Sequence, residues 1–279
     1  MIRIIADTST MYSSCQAKES GFDVAPLSVT IGGKSYRELD DITSADFVQL
    51  IHQGHMPTSS QPAIGDVLEL YQQYPQDEII NISMADGLSG TYGSASSAAG
   101  MCAHKDSISV VNTRTLCGPH RYLVEEAVRM AREGLGRAEI IKKLEKLMKT
   151  GKSFLLPADF DYLRRGGRLS PLVSFVGKTI KLAPVLTQSE DGRQLVMAGV
   201  KRNFRQAVSF VGKALENWGV GANWRVYITH ADAQDLADKA REMLSEVFPH
   251  AVYEVHPLTP AFITQGGPGC VAIQVIQCG

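Results

Sequence analysis

The chain has 279 residues, of which 44% are hydrophobic and 20% are charged, and its net charge is −1. This length favours two compact domains, and the composition is typical of a soluble globular protein. The near-neutral charge, without a basic tract, argues against nucleic-acid binding. Because the sequence has neither a secretory signal nor an apolar run of membrane-spanning length, we expect a cytoplasmic protein without stable membrane insertion.

The cysteines and histidines do not form a metal-binding pattern. Five cysteines without CxxC spacing argue against both a disulfide framework and a zinc site. His52 and His55 are three residues apart near the end of a predicted helix, without the HExxH pattern of a catalytic metal site. We therefore predict no metal and no cofactor.

Strands and helices alternate along the first half of the chain. Strands are predicted over residues 2–6, 22–31, 34–37, 78–84 and 107–111, and helices over 45–53, 64–74, from 91 onward, 121–132 and 138–149. This alternation predicts an N-terminal Rossmann-like α/β domain with a parallel sheet over residues 1–152. The first strand ends in Asp7-Thr8-Ser9-Thr10, which is interpreted either as a ligand-binding sheet edge or as a plain N-cap.

The pattern changes near Gly151. Strands are predicted over residues 153–157, 183–187, 194–200, 225–229, 252–255 and 271–276, with a short helix and glycine turn within 159–170 and two amphipathic helices within 204–218 and 236–247. Asp191-Gly192 is the strongest hairpin signal in the chain. We predict a C-terminal α/β domain over residues 153–279, with a mixed or antiparallel sheet and helices on one side.

Residues 81–95 form a predicted strand, loop and helix that could bind an anion. Backbone N–H groups and the positive end of the helix would face a guest there, Ser89 adds a hydroxyl, and Gly90 leaves the main chain accessible. A second loop, over residues 56–63, contains Ser59 and Ser60 and also precedes a helix, with Pro62 predicted as its first residue. Both loops could instead be ordinary turns and caps.

Two enzyme classes are tested against these motifs. Gly87-Leu88-Ser89-Gly90-Thr91 lacks the second glycine of a GxSxG elbow, which disfavours a serine hydrolase. The glycines at 266–269 lack the lysine and serine of a phosphate-binding loop. The remaining alternative is an enzyme or binding protein for a small carboxylate or phosphorylated metabolite, which would have a short polar cavity instead of a long apolar one.

Several short motifs occur in the order found in one known family. They are Ala6-Asp7-Thr8-Ser9, Thr58-Ser59-Ser60-Gln61-Pro62, Leu88-Ser89-Gly90-Thr91-Tyr92-Gly93-Ser94-Ala95, the Arg-Gly-Gly-Arg turn within 163–170, Ala183-Pro184-Val185-Leu186, Arg202 with Ala207, and Gly267-Pro268-Gly269. Together they cover essentially the whole chain. The sequence resembles the DegV family of bacterial fatty-acid-binding proteins, the lipid-carrying subunits of a two-component fatty acid kinase.

The resemblance implies that the two domains clamp a long-chain fatty acid in the cleft between them. Ser59 and Ser89 would hold its carboxylate, with Ser60 and Gly90 beside them. A separate ATP-binding kinase subunit would phosphorylate the carboxylate to an acyl phosphate, so this chain would be a binding subunit and not itself an enzyme. A sixteen-carbon tail gains roughly 10 kcal/mol on burial before ordering costs.

The predicted site also includes one position that departs from the family pattern and two positively charged residues. Gln265, with Thr264 beside it, stands where the family usually has histidine, and it can donate a hydrogen bond but cannot carry charge. Arg168 and Arg202 are predicted contacts of the ligand or kinase because of their positive charge. Candidate tunnel-wall residues, which could equally be domain core, are Leu172, Val173, Phe175, Val176 and Ile180.

Overall fold

The structure is a computed structural model, and it describes residues 1–170 and 182–279. The chain divides into two compact units: unit one is Met1–Lys149 with Thr259–Ala261, and unit two is Thr150–Leu258 with Phe262–Gly279. All five candidate tunnel-wall residues lie outside the described residues. Within the described ranges, no helix has the length and apolar character needed to cross a membrane.

Unit one is built on a parallel sheet flanked by helices. Its strands are β1 (Ile2–Asp7), β2 (Asp23–Ala25), β3 (Ser28–Ile31), β4 (Lys34–Arg37), β5 (Thr58–Ser60), β6 (Glu78–Ser83) and β7 (Ile108–Asn112). The parallel sheet has the order β2-β1-β6-β7, and a separate antiparallel sheet has the order β4-β3-β5. The sequence of strand β6 is a nearly continuous apolar run because helices cover both faces of a parallel sheet.

The helices of unit one follow the predicted pattern, with additions near the N-terminus. They are α1 (Ser14–Ser20), α2 (Ser44–His52), α3 (Ile64–Gln72), α4 (Thr91–Met101), α5 (Cys117–Arg132) and α6 (Arg137–Met148), with 3₁₀ turns at Thr8–Thr10 and Lys105–Ser107. Helix α1 was not predicted. Its signal is a capping box formed by Ser13 and Gln16.

Two predictions in unit one are wrong. The single strand over residues 22–31 is two strands in different sheets, separated by Pro26, whose ring nitrogen cannot donate to a strand ladder. Pro62 is not the first residue of α3, because the N-cap is Ala63.

Unit two contains a mixed six-stranded sheet. Its strands are β8 (Lys152–Leu156), β9 (Ala183–Gln188), β10 (Leu195–Lys201), β11 (Trp224–His230), β12 (Val252–Pro257) and β13 (Val271–Gln277). The order is β10-β9-β8-β13-β11-β12, and only β11 and β12 pair in parallel. Its helices are α7 (Phe160–Gly166), α8 (Phe204–Asn217) and α9 (Gln234–Val247). Helix α10 (Pro260–Gly266) begins in unit one and belongs to unit two from Phe262 onward.

Helices α8 and α9 cover one face of this sheet with most of the apolar residues of their amphipathic pattern. Val208, Val211 and Leu215 of α8 and Leu244 of α9 belong to one buried cluster with strand residues. The predicted fold class is therefore confirmed, a parallel-sheet α/β unit followed by an α/β unit with a mixed sheet. Helix α10 was not predicted, although Pro260 at its first position is a recognised start signal.

Candidate functional site

Strand β5 places the two candidate serines on opposite faces of the small sheet. Ser59 pairs with the fully buried Val29 and is itself half-buried, whereas Ser60 pairs with Ser28 and is exposed. Side chains alternate along a strand, and paired residues share a face. Ser59 therefore lies on the core side of this sheet, and Ser60 on its solvent side.

The segment after β5 contacts the start of α4. The Gln61 side-chain nitrogen donates to Ser94 Oγ at 2.9 Å. A Cβ atom placed on Gly90 would lie 1.8 Å from Gln61 Oε1. An alanine at position 90 would therefore require the Gln61 side chain to move away from α4, which would disturb the contact between the two loops.

Ser89 is held by local hydrogen bonds at the N-terminus of α4. Its hydroxyl lies 2.8 Å from the Thr91 hydroxyl and accepts the Thr91 N–H at 3.3 Å. Its backbone N–H donates to Ala85 O at 3.2 Å. Among the residues that the structure describes, no histidine hydrogen-bonds to Ser89, so no general base for a serine hydrolase is found there.

The polar cluster at the end of β1 forms hydrogen bonds with the end of β6, the strand that precedes the Ser89 loop. Asp7 accepts the N–H groups of Ser9 and Met84, both at 2.9 Å, and all three residues are buried. His120 Nε2 donates to the carbonyl of Ile82 at 2.9 Å. Its Nδ1 lies within hydrogen-bond distance of the Ser9 hydroxyl. Asp7 is thus the N-cap of the 3₁₀ turn Thr8–Thr10, and the other hydrogen bonds of the cluster connect this turn to the end of β6.

Glu38, immediately after β4, is a fully buried carboxylate that sequence analysis missed. One oxygen accepts the Thr8 hydroxyl, and the other accepts the Ala261 N–H at 2.8 Å. Burial raises the pKa of Glu38 from 4.5 to about 7, and the hydrogen bonds from Thr8 and Ala261 oppose that rise. The sequence carries no signal for this burial, because its partners are 30 and 223 residues away.

In unit two, the end of α10 contacts the last residue of α7. A Cβ atom on Gly166 would lie 2.0 Å from Gln265 Oε1, and the Arg168 guanidinium donates to the Gly166 carbonyl. Thr264, the residue before Gln265, is buried. Of the predicted unit-two residues, Gln265, Thr264 and Arg168 are thus brought together.

Arg202 lies at the corner between β10 and α8. Its backbone N–H donates to Gln206 Oε1 at 3.3 Å, as part of the start of α8. Its predicted role stays a prediction.

Comparison with known proteins identifies the family. The family model described as "Uncharacterised protein, DegV family" matches residues 1–277. This chain belongs to the DegV family. A DegV domain-containing protein of Staphylococcus aureus is 29% identical over 277 residues, which cover 98% of each chain. The predicted family resemblance is confirmed.

Solved DegV structures share the whole fold. A DegV family protein from Thermus thermophilus, described by its fatty acid binding, has a TM-score of 0.89 and 26% identity over 99% of each chain. DegV of Bacillus subtilis, described as a fatty acid binding protein, has a TM-score of 0.86 and 26% identity over 99% of each chain.

Proposed function

We propose that this DegV protein binds a long-chain fatty acid and holds its carboxylate at Ser59 and Ser89. The observation that carries the proposal is the contact of Gln61 with Gly90 and Ser94, which joins the loop after β5 to the N-terminus of α4. The fatty acid binding described for the Thermus and Bacillus relatives supports the ligand class.

The chemistry of this site suits an ionised carboxylate. A carboxylate leaving water must receive hydrogen bonds to offset its lost hydration. Hydroxyl donors and the positive end of the eleven-residue α4 supply them without a catalytic base. The acyl chain supplies most of the affinity, at about 0.8 kcal/mol per buried methylene.

We further propose that a separate kinase subunit phosphorylates the bound carboxylate, while this chain itself performs no chemistry. Gln265 would donate a hydrogen bond to the head group, but its neutral carboxamide cannot relay a proton. Contact of Arg168 or Arg202 with the ligand or the kinase, a ligand position between the two domains, and a cytoplasmic location remain predictions from the sequence.

Matched serine variants test the head-group assignment. We expect Ser89→Ala and Ser59→Ala to weaken palmitate binding about tenfold each, the effect of losing a hydrogen bond to a charged group. Ser60→Ala, on the opposite face of β5, is expected to have a several-fold smaller effect than Ser59→Ala. The measurement is displacement of a fluorescent fatty acid. Equal effects at positions 59 and 60 would contradict the assignment.

A further inference from the structure

Thr91, the first residue of α4, carries a buried hydroxyl next to the proposed head-group residue Ser89. Thr91 is only 3% exposed, whereas Ser89 is half-buried and can present its hydroxyl to a ligand. The two hydroxyl oxygens lie 2.8 Å apart, and the Thr91 N–H also donates to Ser89 Oγ at 3.3 Å. Thr91 therefore reaches the proposed site through the Ser89 side chain.

A bound carboxylate would fix the direction of the hydrogen bond between these hydroxyls. Either hydroxyl can donate to the other. An ionised carboxylate only accepts hydrogen bonds, so Ser89 must donate its single proton to the ligand. The proton between the two oxygens is then that of Thr91. The donors consequently form one chain, from Thr91 to Ser89 and from Ser89 to the carboxylate.

Both acceptor positions of Ser89 Oγ are used in this chain. A serine hydroxyl oxygen has two lone pairs and one proton. The N–H and the O–H of Thr91 take the two lone pairs, so the Ser89 proton points away from Thr91. The Thr91 hydroxyl thus orients the donor of Ser89, and the bond that Ser89 accepts strengthens the bond that it donates.

We infer that Thr91 is a positioning residue of the head-group site: its hydroxyl holds the Ser89 hydroxyl in the orientation that donates to a carboxylate. The inference rests on the proposed function, because it requires Ser89 to bind the head group. The contacts that carry it lie within residues 89–91 of unit one. The role belongs to the hydroxyl of Thr91 and not to its methyl group, so substitutions can separate the two.

The test separates the head group of the ligand from its tail. Dissociation constants for palmitate and for methyl palmitate, an ester that keeps the tail but has no ionised carboxylate, are measured by displacement of a fluorescent fatty acid. The proteins are wild type, Thr91→Val, Thr91→Ser, Ser89→Ala and the double variant Ser89→Ala with Thr91→Val. Valine keeps the shape of threonine without its hydroxyl, and serine keeps the hydroxyl.

Thr30→Val is the matched control. The Thr30 hydroxyl also lies 2.8 Å from a serine hydroxyl, that of Ser35. Thr30 follows Val29, the partner of Ser59 in the small sheet, and side chains alternate along a strand. The control hydroxyl is therefore on the opposite face of that sheet from Ser59.

We expect Thr91→Val to lower the preference for the acid over the ester about fivefold to tenfold, with ester affinity unchanged within about twofold. Thr91→Ser is expected to keep the wild-type preference, a rescue that a purely structural role of this side chain would not produce. In the Ser89→Ala background, Thr91→Val is expected to have little further effect, since both residues act through one hydroxyl. Thr30→Val is expected to keep the wild-type preference.

Three results would overturn the inference. They are equal losses for both ligands in Thr91→Val, a preference in Thr91→Ser as low as that in Thr91→Val, and additive effects in the double variant. Should Thr91→Val not fold, Thr91→Ala and Thr91→Ser form a second pair that differs in one hydroxyl. Thr91→Ala is expected to have the lower preference by about fivefold, and equal preferences in this pair would refute the role.

Failure of the proposed function gives a different result from failure of the inference alone. If wild-type protein does not prefer the acid, or if Ser89→Ala keeps the wild-type preference, the proposed head-group assignment fails, and this inference fails with it. If Ser89→Ala loses the preference while Thr91→Val keeps it, only the inference fails.

Discussion

The buried carboxylate of Glu38 predicts a specific pH dependence of stability. Its pKa is raised from 4.5 to about 7 in the folded protein, mainly by burial, with the nearby buried Asp7 adding to the rise. The folded state therefore holds a proton that the unfolded state has released between these two values. The stabilisation is fully present below pH 4.5 and is lost as the pH rises through 7.

The size of the effect follows from the two pKa values. Each tenfold difference in proton affinity corresponds to about 1.4 kcal/mol, so the complete effect is about 3.5 kcal/mol, of which about 2.5 kcal/mol falls between pH 8 and pH 5. In Glu38→Gln this contribution is absent. We expect the free energy of unfolding of wild-type protein, measured relative to that of Glu38→Gln, to increase by about 2.5 kcal/mol as the pH falls from 8 to 5.

Urea denaturation followed by circular dichroism at several pH values measures this difference. Groups that do not interact with Glu38 titrate equally in both proteins and cancel, and the constant cost of the lost hydrogen bond does not change with pH. Glu69→Gln, at an exposed site, is the control and should show a much smaller change relative to wild type. A difference between wild-type protein and Glu38→Gln that stays constant from pH 5 to pH 8 would refute the reasoning.

Two glycine substitutions test the close contacts in the two units. Gly90→Ala, whose Cβ would lie 1.8 Å from Gln61 Oε1, is expected to displace Gln61 and weaken palmitate binding at least tenfold while the circular dichroism spectrum is retained. Gly93→Ala, with no atom within 4 Å of the added Cβ, is the control, and equal losses in both variants would contradict this account. The Cβ atom of Gly166→Ala would lie 2.0 Å from Gln265 Oε1. We expect this variant to weaken the binding of palmitate more than that of methyl palmitate, which keeps the tail but has no ionised carboxylate. An equal loss for both ligands would argue against a head-group role for Gln265.

The sequence predicts those parts of the fold whose signals are local. Strand β6, its loop and α4 follow from an apolar run, glycines and small helical residues within one stretch. The hairpin predicted at Asp191-Gly192 is present between β9 and β10, with positive φ at Gly192, and a second hairpin joins β3 to β4 through Gly32 and Gly33, which also have positive φ. These turns specify their own backbone conformation, so no distant contact is needed to predict them.

Features that depend on distant partners were missed. Strand β5 consists of Thr58, Ser59 and Ser60, a polar segment that forms a strand because it pairs with β3. Its propensity alone indicates a loop, since strand preference depends on the neighbouring surface. The burial of Glu38 and its bond to Ala261 arise in the same way, from contacts that no local pattern encodes.

In the candidate site, too, some features follow from local sequence and others depend on distant contacts. Ser89 and Gly90 are evident from the loop before α4, and Ser59 from the hydroxyl-rich segment before Pro62. The opposite orientation of Ser59 and Ser60 and the contact of Gln61 with Gly90 required the strand register and the fold. Motif resemblance identified the two loops, while geometry distinguishes which of their side chains face the core.

The most direct test of the central claim is mass spectrometry of the small molecules released when the purified, undenatured protein is unfolded in organic solvent. The account predicts a long-chain fatty acid at close to one molecule per chain, with a reduced amount from Ser89→Ala protein purified in parallel. A short carboxylate or phosphorylated metabolite in its place, or equal fatty acid retention by Ser89→Ala, would contradict it.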